Sequence, residues 1–294
     1  MEQKQRLMVL KTYKLFINGQ FPRTESGRSI KIDGLNGQAL AHVCRASRKD
    51  LRNAVEAASA AQSGWAGRSA YNRGQILYRM AEMLEARAGE FTDVIASTVD
   101  DGCEAAAREV QAAIDRLVSY AGWTDKFSQM LGTHNPVAGP HYNFTVPEAI
   151  GVVGVVAPDA LPLLGLVSLI APALCAGNTV VALGSEAHPL ATAIVGEVCA
   201  TSDVPAGVVN LLTGLRSELV EHFAGHREIG AIHAANLPGE QAERLRAGSA
   251  ENLKRVVVRA IAEPEGWYDE SACHSPWWIE PLIDFKTIWH PSGI

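Results

Sequence analysis

Five valine- and isoleucine-rich runs dominate the second half of this 294-residue chain: Gly151–Ala157, Thr179–Leu183, Val208–Leu212, Glu228–Ala234 and Lys254–Arg259. Their starts lie 28, 29, 20 and 26 residues apart, with helical segments between them. A strand that reads as a continuous apolar run, without alternation, is buried on both faces, which is the condition of a parallel sheet covered by helices on each side. The spacing leaves room for one crossover helix per interval, so the pattern predicts βαβ units. Local punctuation agrees, since Gly177-Asn178 closes a helix before a strand and Pro189 opens the next one. The expected fold is therefore α/β with a doubly wound parallel sheet. A hydrophobic fraction of 47% is enough to build its core and excludes a disordered chain.

Before this unit the sequence is mostly helical. Leu15–Phe21 reads as a short strand and turn around Asn18-Gly19. Ser47, with Asp50 three residues on, starts a helix whose face is Leu51, Ala54, Val55 and Ala58. Ile76, Leu77, Met80, Met83 and Leu84 mark a second helix, Phe91, Val94, Ile95 and Val99 a third, and Val110, Ile114, Leu117 and Ala121 a fourth. The stretch Ser128–Ala149 differs: glycines and prolines surround the alternating His141–Val146, as in a protruding hairpin. Phe285–His290 is strand-like. Trp267, Trp277, Trp278 and Trp289 crowd the last 28 residues and need a surface to bury them. The resulting division is one α/β unit from residues 1–127 and 150–262, and an arm from 128–149 and 277–294.

Several functional classes are disfavoured. A net charge of −6 with interspersed signs provides no basic stripe for nucleic acid. Five cysteines at irregular spacing fit neither a disulfide framework nor a zinc site, and point to a reducing cytoplasm. The N-terminus lacks a signal-peptide core, and the apolar run Leu161–Ala176 is broken by Gly165, Ser168 and Pro172, so no membrane association is expected. His222 and His226 have the spacing of two helix-borne metal ligands, but the histidines, including His233, His274 and His290, read as solvent-facing. Cys273 beside His274 reads as packing and not as a nucleophile pair, because neighbouring strand residues point opposite ways.

Specific strings carry a resemblance. Ala157-Pro158-Asp159-Ala160-Leu161-Pro162-Leu163, Ile170–Val181, Ser185-Glu186, Pro205–Asn210 and Asn252–Val256 together resemble the core of the aldehyde dehydrogenase superfamily. The N-terminal helices match the same pattern. Gly266–Asp269 and Phe285–Trp289 resemble the end of the two-part aldehyde dehydrogenases, sometimes called family 16, whose C-terminal half is a shortened copy. The resemblance implies a Rossmann-like nucleotide-binding domain, an oligomerisation arm made of the hairpin and the last strand, and no catalytic domain in this chain.

The resemblance also exposes departures. Where the family has its oxyanion-stabilising asparagine, this chain has Ala160, which cannot donate a hydrogen bond; such a loss costs on the order of 3 kcal/mol in the transition state. Leu183 replaces a lysine that contacts ribose, while Glu186, the ribose-binding carboxylate, remains. Asn236 and Gln241 fall near the two glycines that approach the cofactor. Arg259 stands at the general base and cannot accept a proton. None of the five cysteines has the setting of the family nucleophile. The expectation is a non-catalytic structural or regulatory subunit that associates with a full-length aldehyde dehydrogenase or with its own copies. Its cofactor-binding candidates reduce to Ser185 and Glu186, and NAD or NADP binding is the alternative, as an oxidoreductase component that keeps its dinucleotide site. A third reading is an active oxidoreductase whose catalytic domain comes from another polypeptide.

Overall fold

The computed structural model describes residues 9–292. The N-terminal part forms β1 (Lys11–Tyr13), β2 (Ser29–Asp33) and β3 (Ala39–Cys44), followed by α1 (Arg48–Ala66), α2 (Ala70–Glu85), α3 (Ala88–Thr98), α4 (Gly102–Trp123) and α5 (Phe127–Leu131). Next come β4 (Thr133–Asn135) and β5 (His141–Ala149). The alternating unit is β6 (Val152–Val156), α6 (Pro162–Cys175), β7 (Thr179–Leu183), α7 (Leu190–Ala200), β8 (Val209–Leu212), α8 (Arg216–Gly225), β9 (Ile229–Ala235), α9 (Gly239–Ala250) and β10 (Arg255–Arg259). Short turns, α10 (Glu270–Cys273) and β11 (Ile283–Pro291) complete the tail.

All five expected strands pair in parallel, in the order β10-β9-β6-β7-β8. The chain winds outward from β6 to β8, then returns to place β9 and β10 on the other side of β6, which is the doubly wound pattern. Alternate side chains feed two cores. Val153, Val155, Val180, Ala182 and Leu211 join α6, α7 and the helices α2 to α4 behind them. Val152, Val156, Val181, Leu183 and Ile232 join α1, α8 and α9. Burial on both faces explains why these strands lack polar alternation.

Local chemistry fixes the connections. Ser47 and Asp50 form the expected reciprocal cap of α1. Asn18 and Gly19 take left-handed φ values of 53° and 70°, so the expected turn closes through a single Ile17–Gln20 bridge. From there Phe16 pairs with Leu211 and covers the outer edge of β8. Gly207 has φ +83°, and a Cβ there would lie 2.5 Å from the Ala57 carbonyl, so α1 can reach the sheet only over a glycine. The sequence reading missed the three-stranded sheet β1-β3-β2. Its signal was the alternation Ser-Ile-Lys-Ile-Asp, in which Ile32 is buried and its neighbours Lys31 and Asp33 are exposed.

The tail folds back onto the first core. Trp267, Trp278, Ile279, Leu282 and Ile283 are buried there, so residues 278–282 belong to the main body and not to the arm. Polar latches hold them. The Tyr120 hydroxyl donates to the Cys273 carbonyl at 2.8 Å, Trp123 Nε1 donates to His274 O at 2.6 Å, and Asn178 Nδ2 donates to Leu282 O at 2.9 Å. Trp277 and Trp289 remain 66% and 60% exposed, so only half of the clustered tryptophans find cover within the chain. What remains of the arm is a small antiparallel sheet in the order β11-β5-β4, and residues 128–131 of its expected span are helical, in α5, with Leu131 buried in the first core. Positions 293–294 of the expected arm lie outside the described residues.

Two stability predictions follow from this packing. Trp267→Ala removes the largest fully buried group of the tail and is expected to cost roughly 3–5 kcal/mol, measured by denaturant unfolding. The second concerns Glu109, whose Oε1 accepts from the Leu163 and Leu164 amides at 2.7 and 3.0 Å and so caps α6. Burial, opposed by these two amides, pushes its carboxyl up from 4.5 to about 7. Its contribution is therefore fully present below 4.5 and is lost as pH rises through 7. Glu109→Gln keeps the acceptor and should be more stable than the parent at pH 8, with the gap closing towards pH 4.5; parallel melting profiles would refute this.

Candidate functional site

In an open parallel sheet, ligands bind beyond the carboxyl ends of the strands, beside the point where strand order reverses. Here that point lies between β6 and β9. The loops after β6, β7 and β8 bring together Asp159, Ser185, Glu186 and Arg216. Ser185, fully buried, donates its hydroxyl to Asp159 Oδ1 at 2.9 Å and accepts from the His188 amide at 2.9 Å. The amides of Glu186 and Ala187 donate to the same Asp159 oxygen at 2.9 and 3.1 Å. Arg216 adds a bidentate contact, Nη1 to Oδ2 at 2.6 Å and Nη2 to Oδ1 at 2.8 Å, and Nη2 also reaches Ala157 O at 2.7 Å. Burial alone would raise the Asp159 carboxyl, but the Arg216 guanidinium, the Ala187 amide and the Ser185 hydroxyl outweigh it and hold it at about 2.

The two cofactor candidates, Ser185 and Glu186, are thus adjacent, and both are engaged within the chain. Glu186 turns its Oε2 towards the first amide of α8, accepting from Arg216 N at 2.6 Å. A carboxylate at a helix N-terminus gains from the unpaired amides and the dipole. With Glu186 capping a helix and the Asp159–Arg216 pair spanning the loops, the residues present do not fit a dinucleotide held through Glu186. Sequence reasoning missed Asp159 as an anchor and Arg216 altogether. The only signal was an aspartate and an arginine at the carboxyl ends of two different strands.

The remaining departures also have structural roles. Ala160 is exposed, and the following Leu161 takes a left-handed φ of 51° at the start of α6. Asn236, with φ 48°, accepts the left-handed conformation that favours glycine. Its side chain extends the β9–β10 pairing, with Oδ1 accepting from Ile261 N at 2.8 Å and Nδ2 donating to Ile261 O at 3.0 Å. Gln241 lies in the first turn of α9, with its Oε1 buried and without a hydrogen-bond partner. Leu183 is wholly buried in the second core.

Arg259 points into the first core. Its Nε donates to His233 Nε2 at 2.7 Å, and its guanidinium lies 3.8 Å above the Trp278 ring. His233 is fully buried, contrary to the solvent-facing expectation, and its Nδ1 donates to Leu169 O at 3.0 Å. Burial and the neighbouring Arg259 lower its pKa to about 3, so the ring is neutral and carries its proton on Nδ1. Cys273 is buried as well; its thiol approaches the Gly266 carbonyl at 3.5 Å and not His274, and burial raises its pKa against the pull of Arg116. Among the described residues no group of three or more metal-ligating side chains converges, and no helix is long and apolar enough to cross a membrane.

Comparison with known proteins fits this geometry. The aldehyde dehydrogenase family model matches residues 22–259, ending at Arg259. Retinal dehydrogenase 2 of Gallus gallus is 34% identical over 256 residues, covering 85% of this chain and 48% of its own length. The 2-hydroxymuconic semialdehyde dehydrogenase of Pseudomonas sp. (strain CF600) is 37% identical over 236 residues, covering 76% and 47%. The NAD+ complex of the Bacillus cereus aldehyde dehydrogenase superposes with a TM-score of 0.80 at 27% identity, covering 85% of this chain and 51% of that one. The chain therefore spans about half the length of the curated relatives it matches, and it belongs to the aldehyde dehydrogenase family.

Proposed function

We propose that this chain acts as a non-catalytic structural or regulatory subunit that joins a full-length aldehyde dehydrogenase through its arm, in the cytoplasm. The observation that carries the reading is Arg259. At the position matching the family's general base, it is a permanent cation hydrogen-bonded to a neutral histidine and stacked on Trp278. A carboxylate at that point accepts a proton, whereas this guanidinium offers only donors. Ala160 removes the matching oxyanion donor, and Cys273, on the tail's α10, is buried against the first core.

The arm supports the assembly half of the reading. Along its nine residues β11 pairs with β5 on one side, while β4 pairs only with the inner part of β5. Phe285, Trp289 and Tyr142 are exposed on this small sheet. A long edge strand carrying aromatic side chains is a ready template for another chain's strand. The unpaired state of all five cysteines agrees with a reducing compartment.

In the assay, purified chain with NAD or NADP and a panel of aldehydes is expected to show no turnover above buffer. Co-expressed with a full-length aldehyde dehydrogenase from the same organism, it should co-elute on size-exclusion chromatography. The double change Phe285→Asp and Trp289→Asp should abolish co-elution while leaving the circular dichroism unchanged. Turnover by the chain alone, or elution as a monomer beside the dehydrogenase, refutes the reading.

Retained dinucleotide binding is the second reading, favoured by the persistence of Glu186 and by the NAD+-bound Bacillus cereus relative. Because Glu186 already caps α8, titration with NAD should leave the melting temperature unchanged. A saturable rise would favour the second reading over the first.

A further inference from the structure

Two permanent cations lie under the tail without a carboxylate to pair with. Arg116 of α4 is 1% exposed; its Nη1 donates to the Ser168 hydroxyl and its Nη2 to Trp267 O at 2.6 Å. The Arg259 guanidinium bonds to the neutral His233 and rests on the Trp278 ring. The carboxylate that bears on Arg116, Glu270, is exposed on α10. Burial pushes both guanidinium pKa values below their usual level, yet a guanidinium stays charged inside a protein. Three donors in the same stretch of core lack an acceptor: Arg116 Nε, Arg259 Nη2 and Trp267 Nε1 are all buried with no hydrogen-bond partner. They belong to groups in direct contact. Arg116 holds the Trp267 carbonyl, the Trp267 ring meets the Trp278 ring edge-on with centroids 6.1 Å apart, and Arg259 lies 3.8 Å above Trp278. Tyr120 and Cys273, within electrostatic reach of both guanidinium groups, supply no negative charge: burial raises the pKa of each, and each donates its proton to a backbone carbonyl.

We propose that a small monovalent inorganic anion, chloride being the simplest, binds beneath the tail among Arg116, Arg259 and Trp267 and ties the tail to α4 and β10. The anion accepts from the orphaned donors and brings the negative charge that the chain itself does not place there. Buried charges persist in proteins when they are paired, and hydrogen bonds between charged partners are the stronger ones. Water would satisfy the N–H groups but leave both cations without a counter-charge. A divalent anion such as phosphate fits less well, because the cost of taking an ion out of water rises steeply with its charge. The inference does not rest on the subunit reading, since it concerns only what neutralises the core beneath the tail.

Halide titration tests it. In chloride-free gluconate buffer at constant ionic strength, added chloride or bromide is expected to raise the melting temperature of the full chain saturably. Amide hydrogen exchange across residues 264–278 should slow with the same midpoint. Arg116→Met, which replaces a buried cation by an apolar chain of similar length, should weaken halide binding at least about tenfold. Arg259→Gln should weaken it likewise, and serves as the second variant should Arg116→Met fail to fold. Crystals of the parent soaked in bromide should show an anomalous peak within hydrogen-bond reach of Arg116 Nε and Arg259 Nη2. The proposal is overturned if chloride and gluconate give the same melting curve, if the folded variants respond like the parent, or if the bromide crystals hold only water between the two guanidinium groups.

Discussion

The requirement on which the rest of the structure depends is cover for both faces of the parallel sheet. Each interior strand sends alternate side chains into opposite cores, and neither face can be left to water without exposing valines and isoleucines worth about 25 cal/mol per Å² of apolar area. Helices α1, α8 and α9 cover one face, and α6 and α7 cover most of the other. On that side the flank near β9 and β10 is closed by the tail, through Trp267, Trp278 and Leu282. This single packing event explains the latches from Tyr120, Trp123 and Asn178, each of which satisfies a carbonyl of the returning chain. It also explains why Arg259 is accommodated: Trp278 provides an aromatic face for its guanidinium and His233 an acceptor.

Positions that matter chemically elsewhere in the family serve here as joints. Asn236 extends the β9–β10 ladder, Glu186 caps α8 and Arg259 anchors Trp278, while Arg216, for which the resemblance gave no role, adds a tie between the loops after β6 and β8. The common physical theme is satisfaction of buried polar groups inside the chain. A cofactor or substrate site needs donors and acceptors left open for the ligand, and most polar atoms of these residues have already paired, Arg216 Nε and Arg259 Nη2 excepted. Lys254 and Arg255, part of the string that resembles the family, act likewise. Lys254 Nζ caps the end of α8 through Phe223 O and His226 O, and Arg255 holds the start of β11 through Ile283 O and Asp284.

Much of this was legible in the sequence for a definite reason. The five buried strands, the capped α1, the amphipathic stripes of α2 to α4 and the hairpin arm are local patterns, readable within windows of ten to twenty residues. What escaped depends on pairs distant in sequence. Arg216 and Asp159 meet across 57 positions, and Arg116 reaches the Trp267 carbonyl across 151. His233 was read by residue type as solvent-facing although it sits inside the buried run Glu228–Ala234; the partners that satisfy it there, Leu169 and Arg259, are 64 and 26 residues away. The β1-β3-β2 sheet was missed because β1 is only three residues long and the apolar residues of β2 alternate with the charged Lys31 and Asp33, so neither forms a continuous apolar run.

The two edges of the molecule's sheets are treated in opposite ways. At the main sheet, Phe16 seals the outer strand β8 through two hydrogen bonds to Leu211. At the arm, β11 is held along its whole length by β5, yet the polar rung Asn135–Asn143–Thr145–Thr287 runs across the sheet and stops at it. That ladder rigidifies three strands that have little core beneath them, since Asn143 is the only fully buried residue of β5. Rigidity without a core is of little use to a solitary chain, because small sheets gain most of their stability by packing an apolar face. A preorganised strand edge with exposed Phe285 and Trp289 does reduce the ordering entropy lost when a second chain adds to it.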